Sequence, residues 1–477
     1  MRLLLIILLS LGYSAVINIP EDYPTIQAGI DSAYDGDMVL VSAGTYHENI
    51  NFNGKNIIVT SISGAESTII EPESNSIGPA VIFENGESGA VELSGFTIQN
   101  AYNDANGGAI YIYNSSPNFN NLIIQNNAAF NMGGGIYING GSQTLNNCKI
   151  YNNDVGDTNG GGLYCINSEN LYIDNSEFNY NHSPKNGAGM YLNNSHVEIK
   201  NTKIIGNNEG IGNNNPMHIP KGGGIYAYLS DVYLHNNIIR SNNSYGPGGG
   251  IFGFESDFEI YHTEICNNIA LNPSQAAEGG GACFLNSTIL LDHITLAYNN
   301  APANTDGLLL RNTTAQIFNS IIYENNGSEI ILRENACVTF DYSNIMGGSA
   351  GISGNMFCSE YGTNNLGENP LFIDPHNQDF TLQSNSPCID VGTADIDGDG
   401  IEDILDYYGS SPDMGAYEFV SPISGDLNGD GQLNILDIII LANMILAGEY
   451  DIIADLNEDG ALNILDIVIY VNIILGT

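Results

Sequence analysis

Between residues 106 and 310 short runs of alternating apolar and polar positions recur at a nearly constant interval. The run Gly133-Gly134-Gly135-Ile136-Tyr137-Ile138 has close copies at 107–112, 160–165, 187–192, 222–227, 248–253 and 279–284. The third position of the triplet falls at 109, 135, 162, 189, 224, 250 and 281, so the steps are 26, 27, 27, 35, 26 and 31 residues. Between copies stands an Asn-Asn pair after a short apolar run, at 126–127, 152–153, 207–208, 242–243, 267–268 and 299–300; the interval at 178–181 keeps one Asn. Self-similarity at such a period marks a solenoid. The units are rich in Ile, Tyr, Val and Asn and hold no helical spacing, so each is built of strands. Three short strands and three turns fill one period, which predicts a parallel β-helix.

Strand alternation then assigns faces. Ile110, Ile136, Leu163, Met190, Ile225 and Ile251 share one face with Ile112, Ile138, Cys165 and Leu192 two residues on, and that face is the core. The residues between them, Tyr111, Tyr137, Tyr164, Tyr191, Tyr226 and Phe252, point outward. With coils stacked about 4.8 Å apart they form an external aromatic ladder. Two readings of it stand: cross-strand stabilisation of the sheet, or a carbohydrate-binding platform. The core Asn of each pair forms a second, amide ladder. The connector between the Asn pair and the Gly triplet lengthens only at 209–221 and 269–278, so these insertions project from one face, often the binding face.

Composition narrows the partners. Lys plus Arg total 10 against 54 Asp plus Glu, a net charge of −44 over 477 residues. This argues against nucleic acid and anionic membranes, and against acidic polysaccharides unless calcium bridges the two anions. Residues 1–15, with Arg2 before an apolar run at 3–11, read as a secretory signal peptide, and no segment is apolar enough to span a bilayer. Seven cysteines leave at least one unpaired. Buried thiols are expected, with Cys337 and Cys358 the pair if one exists.

A solenoid needs a cap on its open apolar end. Pro24 opens a short helix over 24–34 in which Ile26, Ile30 and Ala33 share a face. The stretch PTIQAGIDSAYDGDMVLVSAGTYHENI resembles the N-terminal cap of right-handed β-helix proteins of the pectin lyase-like superfamily. From about 311 the periodicity fades. GENPLFIDPHNQDFTLQSNSPCID and DMGAYEF resemble the closing segment of secreted bacterial β-helix proteins. The expected organisation is a signal at 1–15, an all-β right-handed parallel β-helix at 16–310, terminal coils and closing segment at 311–420, a linker at 421–424 and a small all-α domain at 425–477.

That last domain carries the most specific chemistry. Residues 426–437 read DLNGDGQLNILD and 455–466 read DLNEDGALNILD; extended to 446 and 475, 15 of 21 positions are identical. Oxygen side chains at positions 1, 3, 5, 9 and 12 with Gly at 6 meet the needs of a calcium loop. The expected ligands are Asp426, Asn428, Asp430 and Asp437, then Asp455, Asn457, Asp459 and Asp466. Gln432 and Ala461 offer backbone carbonyls, and Asn434 and Asn463 stand where a water often intervenes. An apolar helix follows each loop, and the pair resembles a type I dockerin over 424–477. The resemblance implies calcium as cofactor and a cohesin-bearing scaffold as partner, with recognition centred on Ile435, Leu436, Ile464 and Leu465. These four residues are apolar, so packing inside the domain is an alternative use for them. A third match, DIDGDGIEDILD at 395–406, has no helix after it and suggests a structural calcium held by Asp395, Asp397, Asp399, Ile401, Asp403 and Asp406.

A catalytic group is harder to place. Basic residues are scattered, and Asp292-His293, the one acidic–His neighbour pair, would point to opposite faces of a strand. His218 and Lys221, in the longer insertion, are the candidates the pattern offers. The expected role is binding or degrading a polysaccharide while docked to a scaffold, as a lyase or hydrolase. The rival is a non-catalytic surface or adhesion rod, with the dockerin-like module as its anchor or as a calcium-stabilised cap without a partner.

Overall fold

The computed structural model describes residues 14–209, 219–272, 278–302, 307–405, 407–420, 424–428, 432–457 and 459–475. Within them the chain forms two compact units, 1–418 and 419–477. The expected signal peptide, apart from Ser14 and Ala15, and most of the 421–424 linker lie outside the described residues.

The first unit is a parallel β-solenoid. Its coils form a 12-stranded, a 24-stranded and a seven-stranded sheet with every pairing between coils parallel, and the closing segment adds a two-stranded antiparallel sheet. The sheet that holds the Gly-led strands runs from Ile50–Asn51 to Ile352–Gly354 with one strand per coil, hence about 12 turns. Register is unbroken: Tyr111 pairs with Tyr137, Tyr137 with Tyr164, Tyr164 with Tyr191. Steric demand explains the triplet. Gly133 adopts φ 73°, and a Cβ on Gly134 would lie 2.3 Å from the Asp154 carbonyl of the next coil.

The lumen is filled by the predicted face. Ile110, Ile136, Leu163, Met190, Ile225 and Ile251 are all fully buried, and Cys165 packs with them. Burial pushes the Cys148, Cys165 and Cys283 thiols up to about 12, so they act as small core hydrophobes. Cys337 and Cys358 form a disulfide; the other five cysteines are free and buried.

The amide ladder runs through eight rungs, Asn127, Asn153, Asn181, Asn207, Asn242, Asn268, Asn299 and Asn325, each Nδ2 donating to the next Oδ1 at 2.9–3.1 Å. The rung is the second Asn of the pair at 127, 153 and 268 but the first at 207, 242 and 299. What fixes it is the residue before, which turns the corner at φ 54–66° whether it is Asn, Tyr, Gly or Ser.

Helix α1 (Ile26–Ser32) closes the N-terminal end. Thr25 caps it, and Ile26, Ile30 and Ala33 are buried against the first coils. Asp37 ties the cap down by accepting the backbone N–H groups of Ala15 and Tyr34 at 2.7 and 2.8 Å. Past 310 the Gly triplets end, yet the coils persist through Leu308–Arg311, Ile330–Arg333 and Ile352–Gly354. Here Leu308, Leu310, Ile330 and Leu332 continue the core without the triplet. The closing segment is pinned to the coils by a buried lock: Arg240 binds Glu264, and Tyr417 donates to Glu264 Oε2 at 2.9 Å.

The second unit holds two helices, α2 (Ile435–Ala447) and α3 (Ile464–Leu475). Leu441, Ala454 and Tyr470 form its core with half-buried Leu and Ile around them. Leu441 and Tyr470 are 29 residues apart, as are the two loops, so the helices meet through equivalent positions.

Candidate functional site

The 419–477 unit gathers its acidic loops around two buried carboxylates. In the first, Asp437 accepts the N–H groups of Leu427 and Asn428 on Oδ1 at 3.0 and 3.1 Å, and of Asn434 on Oδ2 at 3.0 Å. Burial pulls the Asp437 carboxyl up, but these backbone donors outweigh it and hold it below its ordinary value. In the second, Asp466 accepts from Leu456 at 3.1 Å and Asn463 at 2.9 Å, while Asp455 accepts from Asp459 and Gly460. Asn457 and Asp459 face each other, with Asn457 Nδ2 donating to Asp459 Oδ2 at 3.0 Å. Asn434 and Asn463 cap the helices by accepting from Leu436 and Leu465, so their side chains serve the backbone. Asp426 and Gln432 flank the first loop, half-buried and exposed, Asn428 and Ala461 are exposed, and Asp430 lies outside the described residues.

The donor chemistry fits a divalent cation. Residues 424–477 contain seven Asp and two Glu but no Lys, Arg or His. Asp437 and Asp466 are nonetheless fully buried, and Asp455 nearly so. Buried carboxylates with no cationic side chain in their own unit are costly unless a metal neutralises them, and hard oxygen donors suit calcium. The four apolar residues singled out above do not pack inside the domain. Ile435, Leu436, Ile464 and Leu465 are 53–64% exposed, two matched apolar pairs at the N-termini of equivalent helices.

In the loop at 395–405, Asp395, Asp397 and Asp403 bring ligand oxygens within 4.8 Å of one another. Asp395 is held by the N–H groups of Gly398, Asp399 and Gly400. Asp399 turns instead to the N–H of Ile401, and Asp406 lies outside the described residues.

The aromatic ladder is present but not open. Tyr111, Tyr137, Tyr164, Tyr191, Tyr226 and Phe252 stack at 4.7–5.5 Å between centroids with interplanar angles of 4–13°. They lie outside the lumen, as alternation requires. Yet Tyr137, Tyr164, Tyr191 and Phe252 are buried, because each ring covers the next and Met132 and Ile166 pack over them. Of the two readings of this column, the arrangement favours sheet stabilisation, since the ring faces are used on one another. Lys221 sits half-buried with Nζ 4.9 Å over the Phe252 ring, part of this column, and His218 lies outside the described residues.

The open site lies on the 24-stranded sheet. Three cavities of about 770, 580 and 420 Å³ adjoin there. The second and third share Tyr233, and the first and third share His235 and Tyr261, so together they make one groove. At one end His262, Asp292, Tyr417 and Glu418 meet the acidic loop at Asp397 and Asp403. Burial lowers the His235 imidazole, helped by the Lys200 charge, and burial raises Glu418. Beneath them His235, His262 and His293 form a column, with centroids 5.6 and 4.7 Å apart.

Strand alternation misplaced Asp292 and His293. Both are buried, because His293 turns a corner at φ 51° where alternation does not hold. His293 Nδ1 lies 2.9 Å from Asp292 Oδ1 without hydrogen-bond alignment, and Asp292 accepts from Asn319 Nδ2 at 2.9 Å. A signal existed. The same corner is Asn at 147, 175, 201, 236 and 319, and His only at 262 and 293. His262 also lines the groove.

Comparison with known proteins agrees with this division. Residues 80–269 match the family described as right handed beta helix region, and residues 424–475 match the dockerin type I domain. No curated protein sequence matches the chain. Among solved structures it is similar to pectate lyase Pel9A at 13% identity, covering 86% of this chain and 97% of that one, with a TM-score of 0.43. It is also similar to the catalytic unit of a GH87 alpha-1,3-glucanase from Streptomyces thermodiastaticus, at 13% identity over 71% of this chain and 65% of that one, TM-score 0.31.

Proposed function

We propose that this chain, a right-handed β-helix region joined to a dockerin type I domain, is a secreted protein that holds a polysaccharide along its solenoid while calcium-loaded loops dock it to a cohesin-bearing scaffold. The observation that carries the reading is the groove. Its three joined cavities lie on a rigid sheet and are walled by Tyr233, Tyr261, Tyr408 and carboxylates. Amphipathic rings and hydrogen-bonding groups converging in a concave site suit sugar chains.

Docking rests on the second unit. Calcium would be held by Asp426, Asn428, Asp430, the Gln432 carbonyl and Asp437, and by Asp455, Asn457, Asp459, the Ala461 carbonyl and Asp466, with Asn434 and Asn463 reaching it through water. It neutralises the buried carboxylates and so fixes the loops that launch α2 and α3. Asp395, Asp397 and Asp403 are proposed for a third ion. The exposed Ile435-Leu436 and Ile464-Leu465 pairs are the proposed contact with cohesin, in either of two orientations related by the duplication.

Acid–base groups in the groove support an active enzyme of the glycan-cleaving kind. His235, with its lowered pKa, is suited to accept a proton, and Glu418, with its raised pKa, to give one. Incubating the full chain in calcium with a glycan panel tests both levels. New reducing ends or unsaturated products are expected from at least one polymer. Retention without turnover would leave a binding rod, and no retention would refute the reading.

A further inference from the structure

We propose that the groove is selective for uncharged polysaccharide and rejects polyuronates; this rests on the polysaccharide reading above. The groove wall carries the carboxylates of Glu198, Asp231, Asp257, Glu259 and Asp292, with Asp397 and Asp403 at one end. Among its described lining residues Lys200 is the one Lys or Arg, and its Nζ lies 2.5 Å from Glu198 Oε1. The only strong cation is thus already paired. Away from the proposed cation loop at Asp397 and Asp403, carboxylates on a bound chain would meet like charges, in a molecule of net charge −44. The Debye length of about 10 Å at 0.1 M salt leaves such close repulsions largely unscreened.

The same wall is well made for neutral sugars. Ionised carboxylates only accept hydrogen bonds, and sugar hydroxyls donate them; such charge-assisted bonds are the stronger kind. Tyr233 and Tyr261 stand on neighbouring coils at the junctions of the cavities, with Tyr261 Oη donating to Glu259 at 3.1 Å. The lining residues Asp231, Asp257, Thr288, Thr314 and Cys337 pair in register across five coils. Four steps of about 4.8 Å make a track of roughly 19 Å. That length fits several linked sugars rather than one.

Affinity electrophoresis of the full chain in calcium, with neutral glucan, xylan and mannan against polygalacturonate and alginate, tests the proposal. At least one neutral polymer should retard the chain, and Tyr261→Ala should weaken that at least tenfold. Neither polyuronate should retard it. The exposed pair Asp231→Lys and Asp257→Lys, changed together, should raise polyuronate binding at least tenfold without altering the thermal midpoint. Native binding of a polyuronate as tight as that of any neutral polymer, or neutral binding indifferent to Tyr261→Ala, would overturn the selectivity while leaving polysaccharide binding intact. Binding of no polymer at all would overturn both.

Discussion

Asn207 stands mid-column in the amide ladder and satisfies its whole side chain. Nδ2 donates to Phe178 O and Asn242 Oδ1, and Oδ1 accepts from the backbone and side-chain nitrogens of Asn181. Asn207→Ala strands buried donors and acceptors on both neighbours and should cost about 2–4 kcal/mol, read as a lower guanidinium midpoint. A loss below about 0.5 kcal/mol, ordinary for surface changes, would contradict this account of the column. Asp37 makes a second test. Its carboxyl is held below the ordinary carboxylate value by the Tyr34 and Ala15 N–H groups. The stability it lends is complete above the unfolded pKa of about 4 and drains away as pH falls through the lower folded value. Asp37→Ala should therefore cost about 2 kcal/mol near neutrality, and the gap to the native chain should close on acidification. The rungs were legible because paired Asn recurs at the coil period. Which Asn turns inward was not, since the preceding residue's positive φ sets it. His293 escaped for the same reason: a corner residue does not obey strand alternation.

The elements divide by what stabilises them. Coils are held by lumen burial and inter-coil hydrogen bonds, and the 419–477 unit by a small core around Leu441 and Tyr470. That unit also buries two carboxylates with no basic residue of its own, so under the proposed calcium loading the ion would supply much of its stability. Chelator should unfold α2 and α3 while the β signal of the solenoid persists, giving two thermal transitions, of which that of α2 and α3 depends far more on calcium. A single transition shifted as a whole would contradict separate stabilities. The duplicated loop spacing made this unit readable from residue types alone. The terminal coils were less so, because Leu308–Arg311 and Ile330–Arg333 keep the sheet register without the Gly triplet. The aromatic column was readable as a column; its burial was not, as it depends on Met132, before the Gly triplet, and Ile166, at a strand end, packing over the rings.

At the scale of the whole molecule, one stretch of chain offers an extended groove and another a pair of duplicated acidic loops beside exposed apolar residues. The groove could not be read in advance, because His235, Tyr261, Asp292 and Glu418 come from separate coils and the closing segment. The long insertions suggested a different face, and 210–218 and 273–277 lie outside the described residues. The central claim is that one chain couples a polysaccharide to a scaffold. Co-sedimentation with an insoluble neutral polysaccharide, using a labelled cohesin, measures this directly. Cohesin should pellet only when the full chain and calcium are both present, and should be released by chelator. Cohesin left in the supernatant while the chain itself pellets, or pelleting unchanged in chelator, would contradict the account.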